Sequence, residues 1–376
     1  MYTIIGAGIG GLTTALVFEK LNIEYQLFEK SSGPNAIGAG IWLAPNALQV
    51  MEFAGVLDEV INVGNVINRI TLTNHKLDII TDSSQLPAKE KYGFSTVAIH
   101  RAKLQSVLID ALPKNKIHWN KTVKTIAQLD DTISVTFEDN SKSESRYLIG
   151  ADGIDSKVRS FIFPEAKIRY SGQTCWRGVM EEALPIEYQE RGIEMWGQGI
   201  RFGMSQISKS KTYWFAVQKS KAFGKDDKRT LKKKLLNDYK AFHPLVNTII
   251  NNTNTETILR NDITDLKPIK HWHKGNICLI GDAAHATTPN MGQGGAQAIE
   301  DAYYLGRLIA ENSNKNIFKA FYIKRYKKAN AITSKSWLMG KIAHYNKAAS
   351  IRNLLFKNIP KSVLDKTMHA VYELNE

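Results

Sequence analysis

Apolar and polar positions along the chain fall into two regimes. At the amino terminus Thr3-Ile4-Ile5 runs straight into Gly6-Ala7-Gly8-Ile9-Gly10-Gly11, after which residues 12–21 repeat apolar positions at helical spacing. A second apolar run, Tyr25-Gln26-Leu27-Phe28, ends on Glu29. Strand, glycine turn, helix and strand in so short a stretch predict the opening of a doubly wound parallel sheet. Arg146-Tyr147-Leu148-Ile149 and Asn276-Ile277-Cys278-Leu279-Ile280 predict two further strands, each followed closely by a glycine and an aspartate. Short runs of this type suit strands buried on both faces.

The second regime lies between those runs. Residues 172–266 alternate polar and apolar positions, as in Thr212-Tyr213-Trp214-Phe215-Ala216-Val217, and a lysine-rich helical stretch follows over 228–242. Alternation predicts strands with one covered face, hence a separate antiparallel sheet. From Asp301 onward the pattern is helical. The expected fold class is α/β, a discontinuous Rossmann-like cofactor domain (1–70, 96–170 and 268–345) with an inserted antiparallel sheet that holds substrate (71–95 and 171–267). C-terminal helices are expected over 346–376.

Composition narrows the class only modestly. At 376 residues with 43% hydrophobic and 23% charged, the chain is ordinary globular material. Cys175 and Cys278 are too few and too far apart for a disulfide framework or a zinc site, and they fit a reducing, cytoplasmic compartment. No metal site is expected. No apolar run is long enough to span a membrane, and no cationic segment precedes Tyr2, so neither a transmembrane segment nor a signal peptide is expected. The net charge of +14 raises the question of nucleic acid, but the lysines are spread without a recognition module, so no nucleic-acid partner is expected. Basic and apolar residues alternate in the last helices, which leaves two readings open: contact with a membrane surface, or packing on the cofactor domain.

The glycine turns carry the chemistry. Gly6-x-Gly8-x-x-Gly11 lets backbone approach a pyrophosphate, which then meets the amides and the positive end of the following helix. Seventeen residues separate Gly11 from Glu29, which returns the chain to the tip of the second strand. A carboxylate there accepts from an adenosine ribose and favours NAD or FAD over NADP. A second motif is Gly150-Ala151-Asp152-Gly153. A third runs from Gly281-Asp282 through Thr288-Pro289-Asn290-Met291-Gly292-Gln293-Gly294-Gly295 into a helix. Asp282 suits a ribityl hydroxyl, and the amides of 292–295 suit a developing anion.

These three ordered motifs resemble the flavoprotein monooxygenases of the aromatic hydroxylase type, the two-domain fold named for para-hydroxybenzoate hydroxylase. The resemblance spans nearly the whole chain. It implies FAD held by Gly6, Gly8, Ile9, Gly11, Glu29, Lys30, Gly40, Ile41, Arg101, Asp152, Gly153, Asp282, Pro289, Gly292, Gln293, Gly294 and Gly295. Gly38-Ala39-Gly40-Ile41 resembles the loop beside the isoalloxazine ring, and His100-Arg101 the start of the helix whose arginine reaches the cofactor. Within the family the chain is similar to single-chain bacterial enzymes of the FAD-dependent urate hydroxylase and zeaxanthin epoxidase kind. That likeness assigns substrate or catalytic roles to Arg201, Tyr213 and Asn290. The urate enzyme has aspartate where this chain has Asn290, and a neutral amide cannot hold or deprotonate urate as a carboxylate would.

The implied activity uses NADH or NADPH as a transient reductant and O2 to hydroxylate or epoxidise a small aromatic or unsaturated substrate through a flavin C4a-hydroperoxide. Such chemistry needs a dry, closed site, and the cofactor carries the hard step. No activating base and no second nucleotide motif is assigned. Two alternatives stay open: a flavin dehydrogenase or oxidase, and a flavin-bearing regulatory protein. Oligomeric state is left open.

Overall fold

The computed structural model describes residues 1–34, 39–311, 316–346 and 349–374, and Gly38 therefore lies outside the described residues. The amino-terminal strand Tyr2–Ile5 sits inside a six-stranded sheet. Its spatial order is His273–Lys274, Ile277–Leu279, Tyr147–Gly150, Tyr2–Ile5, Tyr25–Phe28, Ile117–His118. All neighbours pair in parallel except the outermost strand, which forms a hairpin with Ile277–Leu279. Ile4, Leu27, Leu148, Ile149, Cys278 and Leu279 have no exposed surface. This is the burial on both faces that the short apolar runs predict.

Register decides what this sheet can do. Ile5 pairs with both Phe28 and Gly150, and Gly150 pairs with Leu279. The residues that follow, Gly6, Glu29, Ala151 and Ile280, continue the ladder by one bond each before the chain turns away. All three glycine motifs therefore begin in one row at the carboxyl edge. Helix Ile9–Lys20 leaves that row and packs on Gly294–Glu311, which begins at the third motif. The contact is close: an added Cβ on Gly306 would lie 2.3 Å from a Val17 methyl.

The inserted sheet has seven strands, in the order Leu259–Leu266, Ile168–Met180, Lys211–Lys219, Ile200–Ser208, Arg191–Trp196, Arg69–Asn74, Ile79–Ser84. It is antiparallel apart from Arg191–Trp196 against Arg69–Asn74, which run parallel. Those two strands meet from distant parts of the chain rather than through a hairpin, so nothing forces them to oppose. Strand periodicity sorts side chains by face. Trp176, Phe202, Met204 and Trp214 pack beneath helices Lys228–Asp238 and Pro244–Asn252. Tyr213 and Phe215 turn the other way, toward Ala39 and Trp42 of the cofactor half, and Trp42 donates its indole N–H to the Ser205 hydroxyl at 2.9 Å.

The helices Ile317–Ala343, Ala349–Lys357 and Lys361–Tyr372 complete the chain. Val371 and Tyr372 pack with Ala44, Ala88 and Ile332, so the last helix does brace the cofactor half. Among the described residues no helix is long and apolar enough to cross a membrane. Cys175 and Cys278 are free and buried.

The tightest point of the fold is Gly11, where an added Cβ would lie 1.8 Å from the Gly6 carbonyl oxygen. Backbone cannot rotate out of the way as a side-chain tip can. Gly11→Ala is expected to lower stability by about 1–3 kcal/mol, the usual cost of overpacking, and this is read from urea denaturation of the cofactor-free protein.

Candidate active site

Three features converge on the carboxyl edge. At the first, Gly6 adopts φ +104° and its would-be Cβ points at Ala151, so only glycine fits. Gly8, by contrast, has nothing within 4 Å of an added Cβ. Helix Ile9–Lys20 begins there with no side-chain cap and no acid in its first turn, and Ile9 is its buried first residue. Its amides are left to an external anion. Glu29 arches over the turn and accepts from the Ala7 and Ser31 amides at 2.7 and 2.9 Å. Gln105, which the motif did not reveal, donates to the Ala7 carbonyl at 3.1 Å. Lys30 is exposed beside them.

At the second motif the Asp152 carboxylate accepts from the Ser156 hydroxyl and from the amides of Lys157 and Val158. It braces the start of helix Lys157–Ile162, whose N-cap is Ser156, so much of its accepting capacity serves local structure. Gly153 borders open space. Arg159 bridges outward: it donates to the Ile154 carbonyl and, at 3.1 Å, to the Ala283 carbonyl, tying the second motif to the third.

The third motif holds the most exposed charges of the set. Asp282 is open to solvent, and no protein donor among the described residues reaches its carboxylate. Burial within surrounding protein nevertheless pushes its pKa up, against the pull of His285, Arg101 and Arg159. Solvent access together with dense surroundings marks a deep cleft. Arg101, exposed on its helix and electrostatically coupled to Asp282, lines the same cleft. Gly292 borders open space; Pro289 opens the short turn Pro289–Met291. Gly294 and Gly295 begin the following helix, and an added Cβ on Gly295 would meet Ile41 at 2.8 Å.

Beneath this loop lies a buried charge network that sequence reading missed. Arg325, Glu300 and Asp301 have at most 1% exposure. The guanidinium pairs with Glu300 at 2.6 Å and Asp301 at 2.7 Å. Asp301 also accepts from the Gly281 amide at 2.8 Å and contacts His285 Nε2 at 2.6 Å. His285 is thus a core histidine held through Nε2. Asn46 donates to Glu300 and to Gln293, which fixes the Gln293 side chain inside rather than toward the cleft. Burial alone would raise the Asp301 pKa, but His285 and Arg325 hold it below the usual carboxylate range. The only hint in sequence was an acidic pair inside an otherwise apolar helix.

Of the residues assigned to substrate, Arg201 and Tyr213 sit across the cleft on the sheet, and Asn290 sits on the loop of the third motif. Arg201 is 2% exposed and engaged: it donates to Glu194 at 3.0 Å and to the side-chain amide oxygen of Asn290 at 2.7 Å. Asn290 in turn donates to the Thr288 hydroxyl and to the Ser336 carbonyl. An aspartate could not make that last bond, which accounts for an amide at this position. The Tyr213 ring lies against Gly40, and burial drives its hydroxyl far above the usual tyrosine range, so it remains a neutral phenol.

Chemically the edge fits FAD: an uncapped helix start with room at Gly8, an acid at the ribose position, and an unpartnered carboxylate at the ribityl position. Comparison with known proteins agrees. Residues 2–335 match the family described as FAD binding domain. The aurachin C monooxygenase/isomerase of Stigmatella aurantiaca is 34% identical over 92% of this chain and 90% of its own length. The 2-heptyl-3-hydroxy-4(1H)-quinolone synthase of Pseudomonas aeruginosa is 33% identical over 96% and 94%. The crystal structure of Klebsiella pneumoniae HpxO with FAD and uric acid superposes with a TM-score of 0.90 at 25% identity, covering 99% of this chain and 96% of that one.

Two outcomes follow from this geometry. Gly8→Ser supplies a good helix cap and at the same time fills the cradle. It is expected to leave unfolding of the cofactor-free protein unchanged or slightly stabilised while weakening FAD binding by roughly tenfold or more in a fluorescence titration. Asp301→Asn unpairs part of a buried network and is expected to cost about 3–5 kcal/mol at neutral pH. Because the folded Asp301 pKa is depressed, its contribution is complete above the ordinary carboxylate range and is lost as pH falls through that lowered value. The variant's denaturation midpoint should accordingly vary less than the wild type's across the acid limb.

Proposed function

The chain belongs to the FAD-binding-domain family and is an FAD-dependent monooxygenase, and from that premise we propose that it oxygenates an uncharged, electron-rich aromatic ring with NADH or NADPH as reductant. The balance is one reduced nicotinamide, one proton and one O2 consumed, giving oxidised nicotinamide, water and one oxygen atom in the product. FAD, when bound, accepts the hydride and activates the oxygen.

The protein's own residues do the rest. Gly6, Gly8 and Gly11 bring backbone and a helix start to the pyrophosphate, Glu29 meets the ribose, and Asp282 and Arg101 meet the ribityl and flavin end. The helix start at Gly294 would meet, with FAD bound, the charge that develops on the flavin's pyrimidine edge. Tyr213 packs against Gly40 and, with Phe215 and Trp42, presents an aromatic wall that excludes water.

One observation carries the substrate class: the arginine assigned to substrate is already paired. Glu194 and Asn290 hold the two terminal nitrogens of Arg201 and leave only its buried Nε–H without a partner among the described residues, so an anionic ring such as urate would have to compete with the Glu194 carboxylate for the same guanidinium. An uncharged heteroaromatic ring is what such a wall accepts. The names of the two relatives at 33–34% identity, one a quinolone synthase, support a ring of that class.

The test is oxygen uptake and nicotinamide oxidation by the FAD-loaded protein with a 2-alkyl-4-quinolone set beside urate. The quinolone is expected to stimulate both and to yield one oxygenated product per nicotinamide consumed. Urate is expected to stimulate neither. Anaerobic bleaching of the flavin by the ring compound alone, without nicotinamide, would instead indicate a dehydrogenase or oxidase and defeat the proposal.

A further inference from the structure

We propose that helix Ala349–Lys357 and the end of the long helix before it form a docking surface for an anionic phospholipid bilayer. The helix is pinned on one side. Arg352 is 5% exposed and donates to the carbonyls of Ala343 and Tyr345 and, at 3.2 Å, to that of Gly197. Phe356 meets the Trp196 ring edge-on at 4.9 Å between centroids. The opposite side is apolar and bare. Ile351, Leu354 and Leu355 stand at i, i+3 and i+4, hence on one face, and are 61%, 60% and 66% exposed. Leu338 and Tyr345 on the preceding turns are more than half exposed as well, as is Ile79 on the strand packed against this helix.

Scattered exposed leucines need no explanation, but a contiguous row on a helix whose other face is fixed does. Charge selects the occupant. Residues 335–366 hold seven Lys and Arg against one Asp, so under a tenth of the chain supplies 6 of its 14 net positive charges. A second protein surface would have to match both the apolar row and that excess. An anionic bilayer supplies the two together, since an apolar helix face enters the headgroup boundary while flanking lysines meet acidic lipids. The anchor point matters: Arg352 grips the Gly197 turn that leads into the strand carrying Arg201. Docking would set that end of the sheet at the lipid surface, where apolar ring compounds accumulate.

The inference stands independently of the substrate reading, and its test does not measure turnover. FAD-loaded protein is floated on a density gradient with vesicles of phosphatidylcholine alone or mixed with phosphatidylglycerol. It is expected to rise with the mixed vesicles, to stay behind with neutral ones, and to be released by about 0.5 M salt, where screening is nearly complete. The double variant Leu354→Glu/Leu355→Glu should keep its flavin absorbance and lose flotation. Wild type that stays behind with acidic vesicles overturns the proposal, as does a double variant that floats equally well. A wild-type dimer that dissociates in the double variant, with no vesicle binding by either, would make the face a contact between copies instead.

Discussion

Everything at the cofactor edge depends on the parallel register of four neighbouring strands. Because Ile5, Phe28, Gly150 and Leu279 lie in one row, the chain segments that follow them leave the sheet side by side. A parallel sheet covered on both faces offers ligands nothing along its length, so its free polar groups collect beyond the carboxyl ends. Slipping one strand by a residue would exchange the side chains packed on its two covered faces and move one motif out of the row. Burial of the strands and placement of the cofactor are thus one constraint.

The Arg325 network extends that constraint into the helices. A guanidinium with almost no exposed surface is tolerated only when its donors are matched. Here the matching groups are Glu300 and Asp301, and Asp301 also holds the first amide of the third motif. The loop of the third motif is therefore held from below by charge, from the side by Ile41, and through the bond from Asn46 to its own Gln293. Rigid support of this kind keeps a site in register without using the residues that touch the ligand.

Across the cleft the logic reverses. Arg201 and Asn290 are joined to each other and so tie two parts of the molecule, since Asn290 belongs to the loop of the third motif and Arg201 to the inserted sheet. This bond works as a latch between domains. Position 290 is suited to an amide because a main-chain carbonyl, that of Ser336, needs a donor.

The amino-acid sequence by itself determined the alternation of elements, the three glycine turns and the acid after the second strand, because those depend on local periodicity and on steric limits that act within a few residues. The crowding at Gly6 and Gly11 and the place of Glu29 beside the first turn were legible on that ground, whereas Arg101 was assigned through the family resemblance. It could not reveal the partners of Gln105 and Arg159, or the Arg325–Glu300–Asp301 cluster, whose arginine lies 24 residues beyond the acidic pair. Nor could it reveal that Asp152 turns inward to brace a helix start, or that Arg201 is taken up by Glu194 seven residues earlier on a neighbouring strand. Only the tertiary structure decided which polar groups find partners and which remain free, because hydrogen-bond satisfaction is settled by distance in space, and the chain's order carries no record of it.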